Sequence, residues 1–293
     1  MKFTLILTII AFLIQNAVSN DTRLLFEKTL QTESGKELLV TLIAGNITVS
    51  TWPNSEVNIK VYGNDEAEDK VIFNAENTET GVKVEATKKG TKNFKNLNIK
   101  VEVIVPVSYN ARLFSSGGNL KVNDLNGKVE ANTSGGNIIA DNINGNVEAY
   151  TSGGNVIIDK NMGNIDASTA GGNITVESFE GNVNVSTMGG HVTLTGSNGK
   201  VDASTAGGNI NVDYSGKNLG MELSTMGGNI TANLPSDFDA DAEIGTLAGR
   251  INCDFAEVEN KNKVTNHLKA KFNSGGELFK CTTSAGNIVI VKK

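Results

Sequence analysis

The chain has 293 residues with 26 basic and 32 acidic side chains, a formal charge of −6, and only 5% aromatic residues. That acidity excludes binding nucleic acid through its phosphates, which needs a basic stripe, and the scarcity of rings suits a narrow core lined by Val, Ile, Ala and Thr. One elongated, repeating domain is expected rather than two globular ones.

At the N-terminus, Lys2 precedes an apolar run over residues 3–14 that is too short to span a bilayer comfortably. Ala17-Val18-Ser19 then offers the small residues a signal peptidase reads. Residues 1–19 are therefore expected to be a signal peptide cleaved after Ser19. Its removal takes away one lysine and leaves 25 basic against 32 acidic residues. No cysteine follows the run to carry a lipid, and Val289-Ile290-Val291-Lys292-Lys293 contains no stop-transfer or anchoring pattern. The mature chain is expected to have no transmembrane helix and to be exported to a periplasm, the cell surface or the medium.

Residues 20–107 read as an irregular β cap continuous with the repeats on its C-terminal side. Segments 38–50, 57–62, 71–75, 82–86 and 97–105 alternate apolar and polar residues as strands do, and Ala44-Gly45-Asn46-Ile47 anticipates the later repeat. Irregular terminal units protect a stacked fold from edge-to-edge pairing, and Lys292 and Lys293 are expected to discourage it at the other end.

Residues 108–293 are expected to form regular repeats. Gly118, Gly136, Gly154, Gly172, Gly190 and Gly208 each end a Gly-Gly pair 18 residues after the last, with drifted copies at Gly228, Gly249 and Gly286. Gly127, Gly145, Gly163, Gly181 and Gly199 lie halfway between, so a turn recurs every nine residues. From Gly118 the inward set reads Leu120, Val122, Leu125, Val129, Ala131 and Thr133, with polar residues between. No later segment has a helical period, and the glycines are expected to turn corners with positive φ. They are not expected to cradle phosphate, since neither a following helix nor a Lys-Ser/Thr pair is present.

An up-and-down antiparallel sheet would put equivalent residues two strands apart and leave one apolar face without a cover. A coil of about 18 residues stacks them directly, about 4.8 Å apart. Stacking also favours ladders of identical side chains bonding to their copies, and the chain carries two. One is Asn119, Asn137, Asn155, Asn173, Asn209 and Asn229, interrupted by His191; the other is Thr133, Thr151, Thr169, Thr187, Thr205 and Thr225. The expected fold is an all-β, single-chain β-solenoid of the β-helix type, roughly 40 to 50 Å long.

Specific motifs extend this reading. An early Gly-Asn-Ile strand, Ile104-Val105-Pro106, the serial Thr-x-Gly-Gly-Asn-Ile turns, and the run from Leu234-Pro235-Ser236-Asp237-Phe238 to Thr246-Leu247-Ala248-Gly249-Arg250-Ile251 resemble the DUF4097 family. These are exported bacterial β-strand repeat proteins, regarded as candidate adhesins. The resemblance covers nearly the whole mature chain and implies a β-helix-like fold at the cell envelope, with no catalytic residues to carry over.

Few residues are candidates for chemistry. There is no nucleophile elbow, HExxH or CxxC, and His191 stands at a turn in place of a ladder Asn. Asp237, Asp239, Asp241 and Glu243 begin like a calcium loop but lack its glycine and its final Glu. They alternate with Phe238, Ala240, Ala242 and Ile244 as the wet face of a strand does. Outward acidic columns include Asp141, Asp159 and Glu177, and Glu130, Glu148 and Asp166. Stacking should raise their pKa values or let them bind calcium or a basic envelope partner; otherwise they are a solvated face. Cys253 and Cys281 fall at inward positions, so a disulfide between them and two small core residues are both open readings. No other cofactor is expected.

The function expected is that of a non-enzymatic envelope protein, a monomer that binds or scaffolds a protein or polysaccharide. The alternatives are a polysaccharide-active β-helix enzyme, for which no loop interrupts the coils from Gly118 to Gly208 to build a groove, and an envelope stress or assembly sensor.

Overall fold

The computed structural model describes residues 22–91, 93–255 and 266–293; the expected signal peptide lies outside them. Two sheets of thirteen strands face each other across one apolar core. In the regular part each coil gives one strand to each sheet. Leu120–Asn126, Ile138–Asn144, Val156–Met162 and Ile174–Glu180 run parallel in the first sheet; Val129–Thr133, Val147–Thr151, Ile165–Thr169 and Val183–Thr187 run parallel in the second. Residues 18 apart pair in register, Ala131 with Ala149 and Ala149 with Ala167. The chain is a β-solenoid. Its cap strands join the same sheets, so thirteen strands span about 60 Å, longer than the repeats alone suggested.

The corners explain the Gly-Gly-Asn signature by a different route from the one expected. Four of the five halfway glycines, Gly127, Gly145, Gly163 and Gly181, do have positive φ, as at Gly163 (150°). Gly154 does not; instead a β-carbon there would lie 2.0 Å from the carbonyl oxygen of Gly136 on the previous coil. Close backbone approach excludes a side chain. The same Gly136 carbonyl accepts the Thr151 hydroxyl at 2.8 Å, a bond repeated from Thr169 to Gly154 and from Thr187 to Gly172. The Thr ladder thus bonds to backbone rather than to its own copies.

The Asn ladder also bonds chiefly to backbone, although Asn137 Nδ2 donates to its copy Asn119 Oδ1 at 3.2 Å as expected. Asn137 Oδ1 accepts the Asn155 backbone N–H at 2.8 Å, and Asn155 Oδ1 accepts that of Asn173 at 2.8 Å. His191 continues the series: its N–H donates to Asn173 Oδ1, and its Nδ1 accepts from the Asn209 N–H at 2.9 Å. The backbone N–H at this position of each of these corners is thereby satisfied.

The ends are not stacked in chain order. Strand Leu278–Ala285 inserts between Met221–Thr225 and Ala240–Ala248, and Ile288–Lys292 lies between Ile230–Leu234 and Ile251–Cys253. Lys292 and Lys293 therefore do not guard an edge. Lys292 lies over the Phe255 ring, and Lys293 reaches Asp213. Phe255 in turn stacks on Phe272 with centroids 4.7 Å apart. At the opposite end the outermost strands, Arg23–Gln31 and Val71–Asn77, approach each other. Lys28 donates to the Ala75 carbonyl and Asn77 to that of Gln31, occupying acceptors that an edge would otherwise expose. A six-residue helix, Asp65–Lys70, capped by Asn64, also belongs to this end.

Candidate functional site

The outer faces of the sheets are built from the residues that alternate with the core. On the second sheet, one outward column contains Arg112, Glu130, Glu148 and Asp166, and the next contains Phe114, Asn132, Tyr150 and Ser168. The structure brings Glu130, Glu148 and Asp166 together as in-register neighbours on adjacent strands. Basic side chains interleave with them. Arg112 Nε is 3.0 Å from Glu130 Oε2, its Nη1 is 3.7 Å from Glu37 Oε1, and Lys128 Nζ is 2.7 Å from Glu148 Oε1.

Beside this charged column lies a groove of about 510 Å³ between two half-buried rings. The Arg112 guanidinium lies 5.6 Å from the centroid of the Phe114 ring. Tyr150 is in contact with Asp166; burial, with help from the Asp166 carboxylate, pushes the Tyr150 hydroxyl up to about 12. Asn132, Ser134, Ser152 and Ser168 supply polar groups around the rings. Alternation alone does not single out Phe114 and Tyr150, although both stand at outward positions of strands whose equivalents are mostly Ser or Asn.

On the first sheet, Asp141, Asp159 and Glu177 also stack in register. The expected rise in their pKa is not what the structure shows for Asp159, whose carboxyl is held below the usual range chiefly by its hydrogen bond to Lys160. Lys160 Nζ is 2.9 Å from Asp159 and 3.6 Å from Asp141. Neighbours in a regular strand point to opposite faces, but Lys160 has φ of 51°, as do its equivalents Asp124, Asn142 and Ser178 within a few degrees. This left-handed column bends each strand and turns the lysine towards the acids. The clue was the three-residue step from Val122 to Leu125, where strict alternation takes two. Among the described residues no group of three or more His, Cys, Asp or Glu side chains is arranged to hold a metal ion.

Of the remaining candidates, Asp241 and Glu243 lie on the outer side of Ala240–Ala248, with Glu243 bonded to Lys269 at 2.6 Å. Cys253 and Cys281 are both buried, on strands of the first and second sheet respectively. Burial pushes the Cys281 thiol well above its ordinary pKa, and Cys253 adds to the effect. No helix among the described residues is long and apolar enough to cross a membrane.

The family described as Toastrack DUF4097 matches residues 36–291. No curated protein matches. Among solved structures, a candidate adhesin from Bacteroides fragilis is 13% identical, with 92% of this chain and 97% of that one covered at a TM-score of 0.39. A candidate adhesin from Parabacteroides merdae is 12% identical over 91% and 95%, TM-score 0.41. A candidate lipid-binding protein from Parabacteroides distasonis is 13% identical over 93% and 98%, TM-score 0.39.

Proposed function

The chain belongs to the Toastrack DUF4097 family, and from that premise we propose that it is a non-enzymatic binding or scaffold protein of the cell envelope. The observation that carries this reading is the outer face of the second sheet. There, in-register strands repeat the same side-chain positions coil after coil, which provides an extended contact surface rather than one convergent reaction centre. Such a surface gains affinity by multiplying modest contacts along a long partner. Export follows from the apolar run and the Ala17-Val18-Ser19 site in the sequence.

The test is fractionation and protease shaving of cells expressing the full chain with a C-terminal tag. The chain is expected outside the cytoplasm and retained by envelope material through the second sheet. Retention should fall when outward residues such as Glu148 and Tyr150 are replaced. Recovery in the cytoplasm alone would overturn the reading.

A further inference from the structure

We propose that the groove between Phe114 and Tyr150 binds an extended, neutral glycan chain whose sugars run along the stacking direction of the coils. The proposal rests on the binding-protein reading and gives it a ligand class and a place.

Spacing is the first argument. Phe114 pairs with Asn132 and Asn132 with Tyr150, so the two rings stand two strands apart with one amide between them. Two inter-strand steps are about 9 to 10 Å. The length of a pyranose in an extended β-linked chain is comparable to one inter-strand step, so alternate sugars meet a ring while the sugar between meets Asn132. An aromatic face offers an apolar platform to the C–H side of a pyranose, and polar groups beside it fix orientation.

The second argument is the chemistry at the rim. Glu130 and Glu148 are held by Arg112 and Lys128, and the Arg112 guanidinium also lies over the Phe114 ring. Carboxylates anchored in this way are acceptors for vicinal hydroxyls, the recurring pair of donors on a sugar. With Glu37 and Asp166 beside them, four carboxylates face two basic side chains, and the excess negative charge disfavours a polyuronate, a teichoic-type polyphosphate or a nucleic acid, each of which would bring like charge to the same column. A neutral chain carries hydroxyl donors without that cost. The column beyond Tyr150 continues as Ser168 and Ser186, so the ring-lined stretch ends there.

The experiment is titration calorimetry of the mature chain with cellohexaose and chitohexaose, and with an oligogalacturonate hexamer for comparison. At least one neutral hexamer is expected to bind, and more tightly than the uronate. Replacing both rings, Phe114→Ala with Tyr150→Ala, should weaken it about tenfold or more. Ile157→Ser on the other sheet should leave binding unchanged, and thermal melting checks that each variant folds. Ser186→Trp, which places a third ring two strands beyond Tyr150, is expected to tighten binding and gives a readout independent of the alanine pair. Binding by neither neutral hexamer, equal binding of the uronate, or indifference to the ring substitutions would overturn the proposal. If the wild type is retained on envelope material yet binds neither hexamer, the glycan assignment fails and the binding-protein reading stands; cytoplasmic recovery would instead remove that reading.

Discussion

The carbonyl oxygen of Gly136 lies 2.0 Å from where a β-carbon on Gly154 would be placed. Two backbone segments on successive coils therefore meet with no room for a side chain, and the Thr151 hydroxyl completes the contact by donating to that same oxygen. Gly154→Ala is expected to cost about 3 kcal/mol, because backbone must move in a stack pinned from both sides. The adjacent Gly153→Ala, whose β-carbon would meet nothing nearer than 3.9 Å, should cost less than about 1 kcal/mol. Urea midpoints of the two variants check the difference.

Asn161 is fully buried in a column where its in-register neighbours are Ile143 and Phe179. Its amide donates to the Gly163 carbonyl at 2.9 Å, while its Oδ1 has no hydrogen-bond partner among the described residues. A buried acceptor without a partner costs about 1 to 3 kcal/mol. Asn161→Leu should raise stability by about 1 kcal/mol in thermal or urea melts; a loss would show that the bond to Gly163 outweighs the orphaned oxygen.

Glu66 fastens the backbone at Lys95 and Asn96 to the short helix. Its carboxylate accepts from Lys70 Nζ at 2.5 Å, from the Asn96 N–H at 2.6 Å and from the Lys95 N–H at 3.0 Å. Chiefly through Lys70, these bonds lower its pKa from 4.5 to about 2. Because the folded pKa is depressed, the stabilisation is fully present above the unfolded value and is lost as pH falls from about 4.5 through about 2. Relative to the intrinsic rate at each pH, amide exchange at Lys95 and Asn96 should accelerate as pH falls through that window in the wild type. In Glu66→Gln it should already be fast and change little with acid, apart from intrinsic exchange.

Lys160 stands against both Asp141 and Asp159 and occupies the position a cation would take between them, so millimolar calcium is expected to leave the melting temperature of the wild type unchanged at constant ionic strength. Lys160→Ala would uncover two stacked carboxylates, and calcium should then raise the melting temperature of that variant alone. A calcium response in the wild type that disappears when Asp141, Asp159 and Glu177 become Asn, Asn and Gln would instead assign the ion to this column.

Cys281 is fully buried and its pKa is raised by that burial. Iodoacetamide at about pH 8 should leave Cys281 unmodified in the reduced, folded chain, since the thiolate is the reactive form, and should label it once the chain is unfolded. Rapid labelling before unfolding would contradict the buried position.

The 18-residue period, the inward set and the Gly-Gly-Asn corners determined from sequence alone that the chain forms stacked coils. A period-2 pattern interrupted at a constant interval has few other ways to bury its apolar face. The stacking of Asp141 on Asp159 and of Glu130 on Glu148 followed from the same arithmetic. What answers those charges did not, because Lys160 reaches its acids only through a left-handed residue that breaks strand alternation, and Arg112 reaches Glu130 only across coils. Nor did the repeat reveal which groups Asn155 and Thr151 would bond to: identical ladders suggest like pairing with like, whereas leftover backbone N–H and C=O groups are the stronger claimants once corners close. The order of the last coils was likewise a tertiary decision. Gly286 stacks on Gly228 and Gly249 on Gly286, since every coil offers the same parallel edge and only the fit of the ends, with Phe238 against Phe279 and Phe255 on Phe272, selects which coil is placed outermost.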